Sequence, residues 1–186
     1  MGVRLRRSTR HELGVLLAAC RSDTLTYAPS GGSLDGMTPP GLRRHQWTTA
    51  LWGRDAFDRA VDALRGWVVH QGAGLEVAAD GPIAVGTNVA LNAPLPIGFI
   101  DATCRIVAVV DEPDRKGFAY GTLSVHPERG EEAFLVIRDD DGIVHFNIEA
   151  ISQPTHPLAR RVPAVADRLQ DTAGRRYLAA MTAITA

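Results

Sequence analysis

Residues 117–134 read Gly117-Phe118-Ala119-Tyr120-Gly121-Thr122-Leu123-Ser124-Val125-His126-Pro127-Glu128-Arg129-Gly130-Glu131-Glu132-Ala133-Phe134. Two strand-like runs flank a turn that carries a histidine, an arginine and three glutamates. Alternate residues of a strand face opposite ways, so Phe118, Tyr120 and Thr122 share one face and Ala119, Gly121 and Leu123 the other. A glycine inside a strand marks a bulge or the close approach of another group, which is the reading for Gly121.

The pattern extends outward in both directions. Toward the C-terminus, Glu132–Arg138 and Ile143–Ile151 are expected to pair across Asp139-Asp140-Asp141-Gly142, because Asp-Gly suits a tight hairpin. His145, Asn147 and Glu149 alternate there with Val144, Phe146, Ile148 and Ala150, a solvated face against a buried one. The last 30 residues read as helix. Pro157 is placed to open it, Pro163 to kink or delay it, and Leu158, Val162, Val165, Leu169, Ala173, Leu178 and Met181 form an apolar stripe. Toward the N-terminus, Ile100–Val110, Ile83–Leu91 and Leu75–Ala79 read as strands punctuated by Glu112-Pro113-Asp114 and Asp80-Gly81-Pro82. A helix is expected at 55–69, with Asp55 as cap and Phe57, Ala60, Val61, Leu64 and Trp67 on its apolar face. Arg43–Leu51 reads as a further strand, and residues 21–42, rich in glycine and proline, as a long loop.

Near the N-terminus, Thr9 and Glu12 have capping-box spacing, and Leu13, Leu16, Leu17 and Cys20 recur at helical intervals. The alternative is that Leu17-Ala18-Ala19-Cys20 is a bacterial lipoprotein box lipidated at Cys20, for which the apolar run is short. No run approaches the ~20 apolar residues of a membrane span.

The order is a strand, a helix, about six consecutive antiparallel strands and a long helix. That predicts an α+β fold: a curved antiparallel sheet of about seven strands around a long C-terminal helix, plus a short N-terminal helix. Residues 1–24 form the N-terminal helical extension and 25–186 a single domain in this reading. The order resembles the helix-grip fold of the START and Bet v 1-like superfamily, a resemblance that implies an apolar ligand held between sheet and helix.

Composition narrows the classes. The chain has 186 residues, 22% of them charged, and a formal net charge of −1, so nothing global steers it to nucleic acid or an anionic membrane. Lys116 is its one lysine. Cys20 and Cys104 lie far apart and read as free thiols of a reducing, cytoplasmic compartment. Phosphate-loop, dinucleotide and nucleophile-elbow motifs are absent from the sequence, and no cofactor is expected.

The stretch Gly117–Leu123, with His126-Pro127-Glu128 and Gly130-Glu131-Glu132, resembles the hallmark of the bacterial and plant family catalogued as domain of unknown function 1990. Trp67, Cys104-Arg105 with Val107, Ser152, Pro154, Gln170 and Tyr177 extend the resemblance over about residues 25–182. Ser124-Val125 departs from it, since Pro-Gly is expected before the histidine. The resemblance implies a START-like fold and no established activity.

Several residues carry candidate chemistry. Tyr120 and Thr122 would give a cavity-lining strand two polar contacts, although a core tyrosine with a backbone partner reads equally well. His126 could act as acid/base with Glu128 or Glu131 orienting its ring, or simply stabilise a polar hairpin. A metal site would need more convergent ligands, so no metal is expected. Arg105 either anchors a ligand anion inside the cavity or serves at the surface; alternation puts it on the face of Val107 and Val109. Three readings follow. The first is a small-molecule binding protein for an apolar or amphipathic ligand, using Tyr120, Thr122, His126 and Arg105 with Trp67 and Phe118 as walls. The second is an enzyme using His126 on the same scaffold. The third is an interaction module docking a partner chain.

Overall fold

The Asp139–Gly142 turn behaves as its sequence asks. The Asp139 carboxylate accepts from the amides of Asp141 (3.1 Å) and Ile143 (2.8 Å), and Gly142 takes a positive φ of 80°. It joins two strands of a sheet seen in a computed structural model, which describes residues 3–155 and 163–186. In chain order the elements are α1 (Arg10–Ala19), α2 (Gly32–Asp35), β1 (Arg43–Leu51), α3 (Ala56–Arg65), α4 (Val68–Gly72), β2 (Glu76–Ala79), β3 (Asn88–Pro94), β4 (Phe99–Asp111), β5 (Arg115–Thr122), β6 (Glu128–Arg138), β7 (Val144–Pro154) and α5 (Pro163–Thr185). The strands form one seven-stranded antiparallel sheet in the order β1-β7-β6-β5-β4-β3-β2. Helices α3, α4 and α5 pack on its inner face, the helix-grip arrangement.

The core lies between that face and the helices. Phe118, Phe134, Phe146 and Ile148 of the sheet meet Leu64, Val69, Tyr177 and Met181 of the helices, all essentially buried. Each such side chain contributes roughly 1.5–3 kcal/mol by leaving water. Gly174 lets α5 close on the sheet, because a Cβ there would run into the Trp47 indole. Around the fully buried His70 stand Trp67, Phe118, Tyr120, Phe134 and Tyr177, with ring centroids 4.7–6.1 Å away. Its two nitrogens have no hydrogen-bond partner among the described residues, and burial lowers its pKa to about 3.

The N-terminal segment lies against part of the outer face. The Thr9–Glu12 capping box forms, and Leu13 and Leu17 of α1 pack on Ala90 and Ala78 of β3 and β2. Cys20 is buried at the end of this helix.

Some boundaries differ from expectation. The helix expected at 55–69 breaks at Trp67, whose left-handed φ of 59° redirects the chain so that its indole reaches Phe118 and His70. Asp55 precedes α3 but makes no side-chain capping bond. The strand expected from Ile83 starts at Asn88, whose amide and side chain both bond to the Asp80 carboxylate. Strand β6 begins at Glu128, earlier than expected, because Gly130 (φ 147°) lets the strand run through a close approach to the Ile151 carbonyl. The buried face of α5 includes Gly174, Tyr177 and Met181, whereas Val165 and Leu169 are exposed. Pro157, Leu158 and Val162 lie outside the described residues.

Candidate functional site

A row of register partners crosses the inner face: Ile106, Tyr120, Glu132, Ala150 and His45. Strand β5 supplies Tyr120 and Thr122, the turn after it His126, β6 Glu128 and Glu132, β7 Ser152, and α5 Gln170. These seven residues line a small cavity of about 50 Å³. An adjoining pocket of about 140 Å³ shares Glu128, Ser152 and Gln170 and adds His45 and Asp167.

The carboxyls in this pocket are under-solvated. Glu132 accepts from the Tyr120 hydroxyl at 2.9 Å, and burial raises its pKa to about 7 against that bond. Burial also raises the Glu128 pKa, opposed by hydrogen bonds from the Ser152 hydroxyl (2.5 Å) and the Gln170 amide. Gln170 Nε2 donates to Ser152 Oγ at 2.9 Å as well, tying α5 to β7. The His126 ring is held by the Glu128 backbone, with Nδ1 3.0 Å from its nitrogen and 2.9 Å from its oxygen. The first contact requires Nδ1 as acceptor and the second as donor, so the two correspond to the two neutral tautomers. Burial lowers the His126 pKa to about 4.

The structure separates residues that the sequence groups together. No hydrogen bond among the described residues joins the His126 ring to the carboxylate of Glu128, Glu131 or Glu132. The Glu131 carboxylate is bonded on the outer face, where it accepts from the Tyr27 hydroxyl (2.5 Å), the amides of Gly31 (2.8 Å) and Ser33 (3.0 Å), and the Ser33 hydroxyl. Tyr27 lies over Gly121, where a Cβ would collide with its ring, which is the close approach that the glycine signals. Arg105 also lies on the outer face. A register shift between Ile106 and Ala108 puts Val109 opposite Phe118, while Arg105 stays opposite Gly121. Its guanidinium holds Asn88 Oδ1 (2.8 Å) and the carbonyls of Asp23 (2.8 Å), Arg21 (3.1 Å) and Cys20 (3.4 Å), so it grips the end of α1 instead of facing the interior. Trp67 and Phe118 pack against each other at 5.2 Å. Phe118 also borders a second, larger cleft of about 360 Å³ between α3 and β4–β5. No three or more His, Cys, Asp or Glu side chains among the described residues are grouped to hold a metal ion.

Residues 26–180 match the family model described as Domain of unknown function (DUF1990). The chain belongs to this family. A UPF0548 protein of Deinococcus radiodurans is 34% identical over 189 residues, covering 93% of each chain. A UPF0548 protein of Dictyostelium discoideum is 31% identical over 122 residues, 58% of this chain and 56% of that one. Among solved structures, a hypothetical protein from Helicobacter pylori aligns with a TM-score of 0.59 at 13% identity, over 88% of this chain and 98% of that one. A protein from Nitrosospira multiformis aligns with a TM-score of 0.51 at 12% identity, over 77% and 97%. At such identities the structural likeness concerns the fold alone.

In this DUF1990 chain the Ser124-Val125 departure has a structural use. The Ser124 amide (3.3 Å) and hydroxyl both donate to the Asp23 carboxylate, and a proline there would have no N–H to give. Glu132 carries more of the pocket's electrostatics than the sequence reading assigned to it. Its signal is period two: Glu132 shares a face with Phe134 and Val136, an acid in an apolar row. Ser152 and Gln170 are hydrogen-bonded to Glu128 across 24 and 42 residues of sequence, a pairing that no local pattern displays.

Proposed function

We propose that this protein binds a small molecule in the pocket between β5–β7 and α5, where Tyr120, Glu128, Glu132 and Gln170 read the ligand's polar groups. The observation that carries the reading is Glu132, a carboxyl at a cavity with one hydrogen-bond donor among the described residues and a pKa near neutrality. A ligand donor or cation would complete its hydrogen bonding, and perturbed groups converging on a cavity are the usual mark of a binding site. The core beside this pocket is filled by Phe118, Phe134, Tyr177 and His70, which favours here a ligand recognised by its polar end. The buried thiols of Cys20 and Cys104, both free, support a reducing, cytoplasmic setting. No helix among the described residues is long and apolar enough to cross a membrane.

Native mass spectrometry of the purified protein, with extraction of any co-purifying molecule, tests this reading. A stoichiometric adduct lost in both Glu132→Gln and Tyr120→Phe, with the fold retained, is the expected result. An adduct retained by both variants would overturn it.

A second reading rests on the same carboxyl. A group titrating near pH 7 suits general acid/base work, and Glu132 fits that role better than His126, whose pKa is lowered to about 4. If Glu132→Gln still binds the identified molecule but no longer converts it, the protein is an enzyme; His126→Ala should leave conversion intact.

A further inference from the structure

We propose that the larger cleft, at the opposite end of β5, is a separate binding site for an amphipathic monoanion: an apolar body ending in a carboxylate. This inference is independent of the pocket at Tyr120. Its walls are Val61 and Leu64 of α3, Ile83 of the β2–β3 connection, and Val109 and Phe118 of the sheet. The register shift after Ile106 is what turns Val109 into this cleft. At about 360 Å³ the cleft falls within the range that takes small organic ligands.

The rim decides the sign of the ligand. Arg65, Lys116 and Asp111 stand on it. Lys116 Nζ pairs with Asp111 Oδ1, and Arg65 reaches the same oxygen at 3.5 Å, so two cations share one carboxylate. The neighbouring Glu112 and Arg115 pair with each other at 3.7 Å and cancel. Among the described residues one positive charge is therefore left over beside an apolar wall, which complements a single anionic head. Lys116 supplies a compact ammonium on an apolar stem, its side chain 26% exposed, and Arg65 a guanidinium fork that fits a carboxylate.

The test uses decanoate as probe and decyltrimethylammonium as the cationic control, each titrated below its micellar range into the ¹⁵N-labelled full chain and followed by amide NMR. Decanoate should give saturable shifts at Leu64, Ile83, Val109, Gly117 and Phe118, and the cationic control should give none. Lys116→Gln should weaken decanoate by roughly fivefold or more. Ile83→Trp, which fills the cleft, should abolish binding while amide signals at Glu132 and Gln170 stay in place. Absence of saturable shifts at the cleft, equal binding of the two probes, or undiminished affinity in Lys116→Gln would each overturn the proposal. Shifts confined to Tyr120 and Glu132 would overturn it too, and would leave the other pocket standing.

Discussion

Glu131 and Glu132 are neighbours in sequence and opposites in the fold. Glu131 points to the outer face and accepts from Tyr27, Gly31 and Ser33; Glu132 points to the inner face and accepts from Tyr120. The first carboxylate has its oxygens taken up by the protein and works as a fastener between the sheet and the segment that crosses it. The second sits at a cavity and, among the described residues, accepts from Tyr120 alone. A buried acid's hydrogen-bond saturation, more than its burial, separates a structural carboxylate from a candidate functional one.

The largest effect that would sharpen this contrast is on Glu131. Glu131→Ala should cost about 3–5 kcal/mol, because it strands several buried donors at roughly 1–3 kcal/mol each. Urea denaturation should register the loss, and limited proteolysis should show cleavage within residues 25–36 of the variant. A loss below about 1 kcal/mol, the size of an exposed interaction, would break the contrast.

Glu132 should reveal itself through pH. Its native pKa of about 7 lies above the ordinary glutamate value of 4.5, so between those values the native state holds a proton that the unfolded chain has lost. Stability from this group is therefore full below pH 4.5 and falls as pH rises to about 7. The total is about 3 kcal/mol. His126 and His70, with lowered native pKa values of about 4 and about 3, act in the opposite sense below pH 6.5, where the unfolded chain takes up protons first. The clean observable is the stability difference between Glu132→Gln and the parent protein, measured across pH 4–9. It should grow in the variant's favour as pH rises, and a flat difference would remove Glu132 from its special position.

Gly121→Ala probes the outer side of the same row. A methyl group there must displace the Tyr27 ring from its seat near Glu131. Thermal unfolding should show a loss of roughly 1–3 kcal/mol. The smallest effect belongs to Tyr120→Phe, worth about 1 kcal/mol in stability. That variant should raise the Glu132 pKa further, since it removes a bond that holds the pKa down, and ¹³C carboxyl titration by NMR would read the change.

Much of the scaffold was legible because its signals are local. Strand β1 falls on the expected residues, the Asp139–Gly142 hairpin forms where Asp-Gly predicts it, and the Thr9–Glu12 capping box caps α1. Which face each residue occupies was harder to read. Alternation correctly grouped Phe118, Tyr120 and Thr122, but extra residues slip the count, and the irregularity after Ile106 parts Arg105 from Val109. Residues 21–42 read as a long loop with Tyr27 to anchor it; Tyr27 does anchor it, but its partner Glu131 lies about 100 residues away, where no local pattern points. The pocket at Tyr120 was half legible: its strand and turn residues stand in one stretch, while Ser152 and Gln170 come from elements that only the closed sheet and α5 bring in.

His70 offers a use beyond binding. The carbon-bound hydrogen at C2 of an imidazole exchanges slowly with deuterated water, and a ring sealed among aromatic neighbours must wait for the core to part before the exchange can begin. Followed by mass spectrometry, that exchange would serve as a gauge intrinsic to the chain, reporting what fraction of the time the helices stand away from the sheet.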